Sequence, residues 1–437
     1  MEQKLGWQAR FLFAVIAAIS VSGCTAMIEK QILNTAPVIT GVGDLKAEYA
    51  KNRFSYCTQK VADTQQLRLQ SSDREPADPR PESAGLKNTR SEHTGNEHTR
   101  NENPQHCVTY YDFAEFLLEL DGEIKSIPKG SFEFTDANYR EENYREENTE
   151  ALNFKERMEF RFPDLSGNAP LVIVAPGYGL SATHMILPWA SWFRSMGMHP
   201  IVLLGPTEAK PMQFGLNHTQ AVATMLTEQY PNRDIVLFGF SMGALGALAI
   251  EAELLEKGMR PQALMLVAPM NNFREQALSA YHTMRANDWK VRWFVPESRF
   301  SKAVDRIILA SNIHEEELLL KPKLINARTP MFVAAGEGDS LVKYGELRDI
   351  LNLPGEQGGE AYQPYPGHPE FNVVIEPLAN DESQFVSIPR FNHAAMFFLL
   401  RPLRTPLQEW LGTRVELTLA PETEYPEHNE EQAETLE

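Results

Sequence analysis

The sequence predicts an α/β fold with a mostly parallel central sheet, and two observations lead to this prediction. Short runs of β-branched, aromatic and other apolar residues occur at 170–175, 234–238, 263–269 and 329–335. Uninterrupted runs of this length are typical of strands buried on both faces of a parallel sheet. Glycine-containing turns follow three of the four runs, as expected where strands are connected to helices.

The pentad Gly239-Phe240-Ser241-Met242-Gly243 follows the run at 234–238 and leads into the small-residue stretch 244–250. A serine flanked by glycines at a strand-to-helix turn is typical of a nucleophile elbow. The turn imposes strained backbone angles on the serine, and a side chain at either flanking position would collide with the neighbouring strand or helix. The pattern predicts Ser241 as a catalytic nucleophile. A packed turn serine is the alternative, because the bare motif also arises by chance.

The turn after the strand at 329–335 provides an acidic partner for such a serine. Asp339 is predicted to accept the Nδ1–H of a catalytic histidine, fix its tautomer and stabilise the imidazolium that forms during reaction. Glu337 carries the same chemistry two residues earlier. A loop aspartate that caps the next helix is the third interpretation.

The order serine, acid, histidine requires the base to follow Asp339, which leaves His368, His393 and His428. His393 is favoured because it lies between the strand-like stretch 384–388 and the apolar helical stretch 394–400. His368 lies in a proline-rich turn, and His428 lies in an acidic tail. A hydrogen-bonded structural histidine is the alternative for His393.

The strand at 170–175 ends in Pro176-Gly177-Tyr178-Gly179, which is where an oxyanion-binding loop is expected. Two backbone N–H groups can stabilise the negative charge of a tetrahedral intermediate. We expect these donors at Met242, the residue after the nucleophile, and at Tyr178, with a neighbouring loop residue as the alternative to Tyr178. An ordinary glycine-rich turn is the other interpretation.

Taken together, these motifs resemble the α/β-hydrolase superfamily, in particular its monoglyceride-lipase-like and serine-aminopeptidase-like members with a lid. The resemblance spans Phe154 to Leu411. It implies an α/β-hydrolase fold in which Ser241 carries the acyl group, His393 transfers the proton and Asp339 orients His393. One difference concerns the oxyanion loop: Ala175-Pro176-Gly177 stands where many members have a histidine before the glycine, so the bonds that brace this loop are expected to differ.

The resemblance divides the chain into a hydrolase core at 154–269 and 329–416, with a helical lid at 270–328 between the two parts. The lid segment is too long for a simple crossover. Its large side chains are expected on an inner face that excludes water, with Arg285, Lys290 and Arg292 toward solvent or an acidic group. These large side chains are Tyr281, Met284, Trp289, Trp293, Phe294 and Phe300. A helical ornament packed on the core is the alternative.

The N-terminus predicts export and anchoring. Residues 1–23 combine basic residues, an apolar run and small residues before Cys24, which resembles the lipobox of bacterial lipoproteins. The resemblance implies that Cys24 is lipidated and begins the mature chain in the bacterial envelope. Thr25 resembles the outer-membrane sorting pattern. An ordinary cleaved signal and an uncleaved anchor are the alternatives, although the apolar run is too short to favour a permanent span.

Residues 24–153 form an extension with a polar, low-complexity insert at about 63–106, which is expected to be disordered. Cys57 and Cys107 flank this insert. In an oxidising compartment, this even pair predicts a disulfide. The histidines His93, His98 and His106 match no metal-ligand spacing.

Composition excludes several functions. The 437-residue chain has a formal net charge of −18 and no basic stripe, which argues against nucleic-acid binding. Part of that charge lies in the tail, 417–437, which is expected to be disordered. No metal-binding or nucleotide-binding motif is present, so no cofactor is expected. The predicted function is a membrane-anchored serine esterase or thioesterase with a small-molecule or lipid acyl substrate. A peptidase and a non-catalytic envelope protein on a hydrolase scaffold are the alternatives.

Overall fold

The computed structural model describes residues 26, 28–30, 32, 49–57, 107–120, 123–126, 129–135, 155–216, 218–354, 359–363, 372–379, 382–398 and 401–419. Several predicted features fall outside these residues. They include the signal segment, Cys24, the low-complexity insert with its three histidines, His368 and His428.

The described residues contain fourteen strands. These are β1 (Arg53–Cys57), β2 (Cys107–Asp112), β3 (Leu117–Leu120), β4 (Glu123–Ser126), β5 (Lys129–Thr135), β6 (Lys155–Arg161), β7 (Leu171–Ala175), β8 (His199–Leu203), β9 (Ile235–Phe240), β10 (Ala263–Val267), β11 (Met331–Gly336), β12 (Glu360–Tyr362), β13 (Val373–Pro377) and β14 (Gln384–Ile388). Ten of them form one sheet in the order β1-β2-β8-β7-β9-β10-β11-β14-β13-β12, and β3-β4 and β5-β6 form two separate hairpins.

The centre of the large sheet is parallel. Strands β8, β7, β9, β10, β11 and β14 pair in parallel, whereas the two strands at each edge pair antiparallel. Every residue of β7, β9 and β10 is buried. This explains why their sequences are continuously apolar, since helices cover both faces of such a sheet. The predicted α/β fold with a mostly parallel sheet is confirmed.

The helices are α1 (Ser191–Ser195), α2 (Thr219–Gln229), α3 (Gly243–Glu256), α4 (Phe273–Asn287), α5 (Trp289–Phe294), α6 (Glu297–Ser311), α7 (Leu320–Asn326), α8 (Tyr344–Ile350), α9 (His393–Phe398) and α10 (Arg401–Gly412). Two hydrophobic layers enclose the sheet. Leu171 and Ile173 point into the layer that contains α2 and α3, and Val172 and Val174 point into the layer that contains α1 and α10. Alternate residues of one strand therefore serve both layers.

The N-terminal extension contributes to the main sheet, which the sequence analysis did not predict. Strand β2 pairs with β8, and β1 pairs with β2 as the outermost strand. The predicted disulfide between Cys57 and Cys107 is present and joins opposed residues of these two strands. The bridge ties the outermost strand to the rest of the sheet.

The segment between β10 and β11 is helical and contains α4, α5, α6 and α7. Among the described residues, no helix combines the length and apolar character needed to cross a bilayer.

Candidate active site

Ser241 occupies a strained turn between β9 and α3. Its φ angle is +52°, a left-handed value that is uncommon for a residue with a side chain. Its N–H donates to the Val267 carbonyl at 2.9 Å, and its carbonyl accepts from the Met270 N–H at 3.1 Å. The last residue of β10 and a residue shortly after it therefore bond both backbone groups of Ser241. This arrangement has the geometry of a nucleophile elbow.

The two glycines of the pentad are required by close packing. A Cβ on Gly239 would lie 2.6 Å from the Cα of Ala244, at the start of α3. A Cβ on Gly243 would lie 2.0 Å from the carbonyl oxygen of Ala175, at the end of β7. Neither position has room for a side chain, so glycine allows the helix to start directly against the sheet.

His393 lies beside the serine and is the first residue of α9. Its Nε2 is 3.0 Å from the Ser241 Oγ, and its Nδ1 is 2.7 Å from the Asp339 Oδ2. The imidazole packs on Phe240, with ring centroids 5.3 Å apart. These contacts orient the ring so that one nitrogen faces the serine and the other faces the carboxylate.

Asp339 is held by three donors. Besides the His393 contact, its Oδ1 accepts the backbone N–H groups of Leu341 and Val342, each at 2.8 Å. The side chain is buried. Its carboxylate therefore has one oxygen fixed by the backbone turn and the other directed at the imidazole.

Sheet topology explains why these two side chains meet. Strands β11 and β14 are parallel neighbours, and Gly336 is paired with Ile388 at their carboxyl ends. The turns that carry Asp339 and His393 follow these two ends and leave the sheet at the same edge. Glu337, the alternative acid, is exposed, and its carboxylate accepts a hydrogen bond from Ser387 at 3.3 Å. The structure places Asp339 against His393 and directs Glu337 elsewhere.

The proposed oxyanion loop lies against the elbow. A Cβ on Gly177 would lie 3.0 Å from the Ser241 Cβ, so only glycine lets the loop come this close. Met242 is the N-cap of α3, where the first backbone N–H groups have no acceptor within the helix. Tyr178 follows Gly177 in the loop, and its hydroxyl donates to the Ile32 carbonyl. The roles of Met242 and Tyr178 as oxyanion donors stay predictions.

Glu208 braces this region, and the sequence analysis missed it. One carboxylate oxygen, Oε2, accepts the N–H of Ala182 at 2.7 Å and the N–H of Gly205 at 2.8 Å. The bond to Ala182 fixes the chain just after the oxyanion loop, and the bond to Gly205 fixes the end of β8. Its position shortly after a parallel strand is a weak signal, because many loop glutamates share it.

A second brace involves His184. Its Nδ1 lies 2.9 Å from the Ser181 backbone nitrogen, which donates to it, and 3.1 Å from the Ser181 Oγ. His184 and Glu208 thus hold residues that directly follow the oxyanion loop, and the expected difference in the bonds of the loop itself stays a prediction.

Besides the Met270 bond to Ser241, two contacts of α4 bring the helical segment beside the site. The Ser279 Oγ of α4 donates to the carbonyl of Ser340, next to Asp339, at 3.1 Å. Phe273, the first residue of α4, packs on Tyr178 with ring centroids 6.1 Å apart. These contacts place the start and middle of α4 beside the acid turn and the oxyanion loop.

The large side chains of the helical segment were all expected on its inner face, and the structure shows that only some of them lie there. Tyr281 and Phe300 are buried, as that expectation requires. Trp289, Trp293 and Phe294 are instead among the most exposed large apolar side chains of the described residues. Helix α5 is short, and only Val291 and the following Val295 pack against the hydrophobic core. Its aromatic side chains therefore point away from the core.

Known proteins provide a comparison for this site. The family model described as "Serine aminopeptidase, S33" matches residues 212–334. That stretch contains the elbow and the whole helical segment, and it ends within β11 before Asp339 and His393. No curated protein matches the sequence.

Solved structures with a similar outline include three hydrolases. An esterase of Pyrococcus furiosus is 15% identical with a TM-score of 0.38, covering 65% of this chain and 91% of its own. A hormone-sensitive lipase from a metagenome library is 12% identical with a TM-score of 0.38, covering 57% of this chain and 81% of its own. The type II thioesterase of the yersiniabactin pathway is 16% identical with a TM-score of 0.37, covering 58% of this chain and 97% of its own.

The sheet order and the strained elbow at Ser241 have the form of an α/β-hydrolase fold, and residues 212–334 within it match the serine aminopeptidase family model.

Proposed function

We propose that this protein is a serine hydrolase that cleaves carboxylic esters or thioesters through an acyl-serine intermediate. One observation carries the proposal: the hydrogen-bonded series from the Ser241 Oγ through both nitrogens of His393 to the Asp339 carboxylate, with distances of 3.0 and 2.7 Å. A serine alone is a weak nucleophile at neutral pH, and an imidazole at this distance can accept its proton as it attacks.

In the acylation step, the Ser241 Oγ attacks the carbonyl carbon of the substrate and its proton passes to the His393 Nε2. The imidazolium that forms is stabilised by the Asp339 Oδ2 at its Nδ1–H. As the tetrahedral intermediate collapses, His393 gives the proton to the departing alkoxide or thiolate. The acyl group then remains on Ser241 as an ester.

In the deacylation step, a water molecule takes the place of the leaving group. His393 accepts a proton from the water as it attacks the acyl carbon. When the bond between the acyl carbon and the Ser241 Oγ breaks, His393 returns the proton to Ser241 and the carboxylic acid leaves. The negative oxygen of both tetrahedral intermediates is assigned to the backbone N–H groups of Met242 and Tyr178. Each donor of this kind contributes about 3 kcal/mol to transition-state stabilisation.

Labelling with a fluorophosphonate probe tests the catalytic claim. We expect the purified protein to be labelled at one site and Ser241→Ala to remain unlabelled. A matched control is Ser279→Ala, because this serine lies close to the acid turn but does not contact His393 in the described structure. Absence of labelling on a folded wild type would favour the non-catalytic scaffold.

The leaving group separates ester and thioester hydrolysis from the nearest alternative, peptidase action on short peptides. The family model that matches residues 212–334 is described as a serine aminopeptidase, which supports the peptidase alternative. We expect p-nitrophenyl esters of increasing chain length to be hydrolysed faster than aminoacyl-naphthylamides at equal concentration. Faster cleavage of the amides by wild type, with loss in Ser241→Ala, would establish the peptidase instead.

The proposal also places the protein in the bacterial envelope, lipid-anchored through Cys24 and most simply at the outer membrane. Its support is the lipobox-like segment before Cys24. Cells that express the full chain should incorporate radiolabelled palmitate into it, and Cys24→Ala should abolish incorporation. Label that persists in Cys24→Ala would contradict the proposed lipidation of Cys24. Fractionation of the two membranes would then test the sorting inferred from Thr25.

A further inference from the structure

Helix α5 presents a large apolar surface to solvent. Trp289 is 61% exposed, Trp293 is 76% exposed and Phe294 is 67% exposed. We call these three side chains the aromatic face. The rings of Trp289 and Phe294 contact each other, with centroids 6.2 Å apart, and Trp293 precedes Phe294 on the same helix. Clustered exposed aromatics of this size mark interaction surfaces in soluble proteins.

Packing and hydrogen bonds on the other side of α5 keep the aromatic face directed toward solvent. Val291 and Val295 pack on the hydrophobic core from the opposite side of the segment. The buried hydroxyl of Tyr281 donates to the Val295 carbonyl at 2.6 Å. The Arg292 guanidinium donates to the carbonyls of Arg285 at 3.3 Å and Ala286 at 2.6 Å, at the end of α4. These bonds fix α5 on its neighbours, so the outward direction of the three rings is part of the fold.

The surroundings of the aromatic face are basic, unlike the chain as a whole. Residues 284–294 contain Arg285, Lys290 and Arg292 and one acidic residue, Asp288, within a chain of net charge −18. The Asp288 carboxylate accepts the backbone N–H of Lys290 at 2.7 Å and so serves as the N-cap of α5. Nearby, Glu297 lies 4.0 Å from His282. The charge around the rings favours an anionic partner.

We propose that the aromatic face docks on an anionic phospholipid surface. Tryptophan and phenylalanine partition into the boundary between headgroups and acyl chains, and neighbouring lysine and arginine side chains reach the phosphates. A helix of this kind lies in the plane of the surface and buries only one side. The apolar rings and the basic rim of α5 fit this arrangement, whereas the rest of this acidic chain would be repelled by such a surface.

The path of the N-terminal residues adds a second argument. Ile28 and Ile32 are buried in the core, and the Ile32 carbonyl accepts the Tyr178 hydroxyl. Tyr178 in turn contacts Phe273, where α4 begins. The chain therefore reaches the base of the helical segment a few residues after Cys24. A lipid anchor at Cys24, as proposed above, would hold the protein at a membrane, where the aromatic face can dock. The docking proposal itself does not require this anchor.

Tryptophan quenching by lipids tests the proposal on the full chain. Protein carrying Ser241→Ala is reconstituted into vesicles of brominated phosphatidylcholine, with or without phosphatidylglycerol. We expect bromine to quench emission in vesicles that contain phosphatidylglycerol, and Trp289→Phe with Trp293→Phe to abolish that quenching. Of the other tryptophans, the buried Trp189, Trp192 and Trp410 should contribute none, and Trp7, in the predicted signal segment, is replaced by phenylalanine in every sample. Quenching that survives the double substitution would overturn the proposal.

Charge variants and a matched apolar control sharpen the test. Arg285→Gln and Lys290→Gln should each weaken docking about fivefold, since a basic side chain near an anionic surface contributes on that order. Leu309→Ser, on α6 at 82% exposure, should leave quenching unchanged. Equal quenching without phosphatidylglycerol would refute the anionic surface. If light scattering instead shows that Trp289→Ser with Trp293→Ser lowers the oligomeric state, the face joins two copies of the chain and lipid docking is wrong.

The docking proposal and the hydrolysis proposal are tested independently of each other. The quenching samples carry Ser241→Ala, so they report on the surface in the absence of turnover. Conversely, Trp289→Ser and Trp293→Ser should retain wild-type activity on a short soluble ester, because neither residue contacts the catalytic side chains in the described structure. Loss of quenching with intact ester hydrolysis, or the reverse, identifies which proposal is wrong.

Discussion

Gly243 packs on Ala175 so closely that a single methyl group would lie 2.0 Å from the Ala175 carbonyl oxygen. This contact sets the distance between the first turn of α3 and the end of β7. The catalytic elbow and the oxyanion loop meet at this point. The same contact makes the glycine sensitive to substitution.

Gly243→Ala should therefore destabilise the fold and disturb the elbow. The added carbon meets backbone atoms, which move less easily than a side-chain tip, so we expect a loss of about 3 kcal/mol in the free energy of unfolding. Urea unfolding followed by tryptophan fluorescence measures it. Gly167→Ala is the matched control, since a Cβ there meets nothing within 4 Å. Equal midpoints for the two variants would show that the elbow tolerates the extra carbon.

Asp339→Asn should lower kcat by roughly 10³-fold or more while leaving the protein folded. The Asn oxygen can still accept the N–H groups of Leu341 and Val342, so the turn is kept, but the negative charge beside His393 is lost. Glu337→Gln removes an equivalent charge two residues away and should change kcat by less than about twofold. Steady-state kinetics on one ester compares them. A larger loss in Glu337→Gln would reassign the acid.

Glu208→Ala should slow the reaction through the oxyanion loop. It removes the acceptor of two backbone N–H groups, and each unpaired group costs about 1–3 kcal/mol. We expect kcat to fall about tenfold or more, with a smaller change in KM. Glu208→Gln keeps one oxygen that can accept both bonds and should restore most of the activity. If Gln and Ala behave alike, the charge of Glu208 matters more than its bonds.

Stability should fall at mildly acidic pH because of His218. Burial lowers the pKa of this side chain below its ordinary value of 6.5, although a hydrogen bond to the Cys107 backbone opposes the shift. The unfolded chain therefore binds a proton before the folded protein does, and stability is lost as the pH falls below 6.5 toward the folded pKa. Urea midpoints from pH 8 to pH 5 should show this decline. His218→Gln should flatten it, and an unchanged slope would contradict the assignment.

Reduction of the Cys57–Cys107 bridge should destabilise the edge of the sheet. The bond closes a loop with a sequence separation of 50, for which chain entropy gives a contribution of about 4 kcal/mol. Urea midpoints with and without dithiothreitol measure the effect. The double variant Cys57→Ala with Cys107→Ala should match the reduced protein and no longer respond to dithiothreitol. An unaltered wild-type midpoint would show that the edge strand is held by its pairing alone.

Much of the fold and of the candidate site could be predicted from the local sequence. Residues 384–388 were predicted as a strand and form β14 with the same bounds. The continuous apolar runs predicted the central parallel strands, because strands buried on both faces leave no room for polar alternation. Ser241, Asp339 and His393 were each favoured by their position after a strand and by the chain order that a triad requires, and the structure brings their side chains into contact.

Other features depend on contacts between residues far apart in the chain. The place of strands β1 and β2 in the sheet rests on the pairing of β2 with β8 and on the disulfide. Nothing in the local sequence distinguishes Glu208 from other loop glutamates. Its role arises because folding brings the N–H groups of Ala182 and Gly205 to the same oxygen. No local pattern carries that information.

Local composition and chain order were enough to predict the central parallel sheet, the elbow at Ser241 and the order of serine, acidic turn and histidine. Tertiary packing distinguishes Asp339 from Glu337, since both lie in one turn but Asp339 faces His393 and Glu337 faces Ser387. It also decided that the aromatic residues of α5 point outward. Side-chain direction on a short helix depends on what the helix packs against, and that neighbour lies elsewhere in the chain.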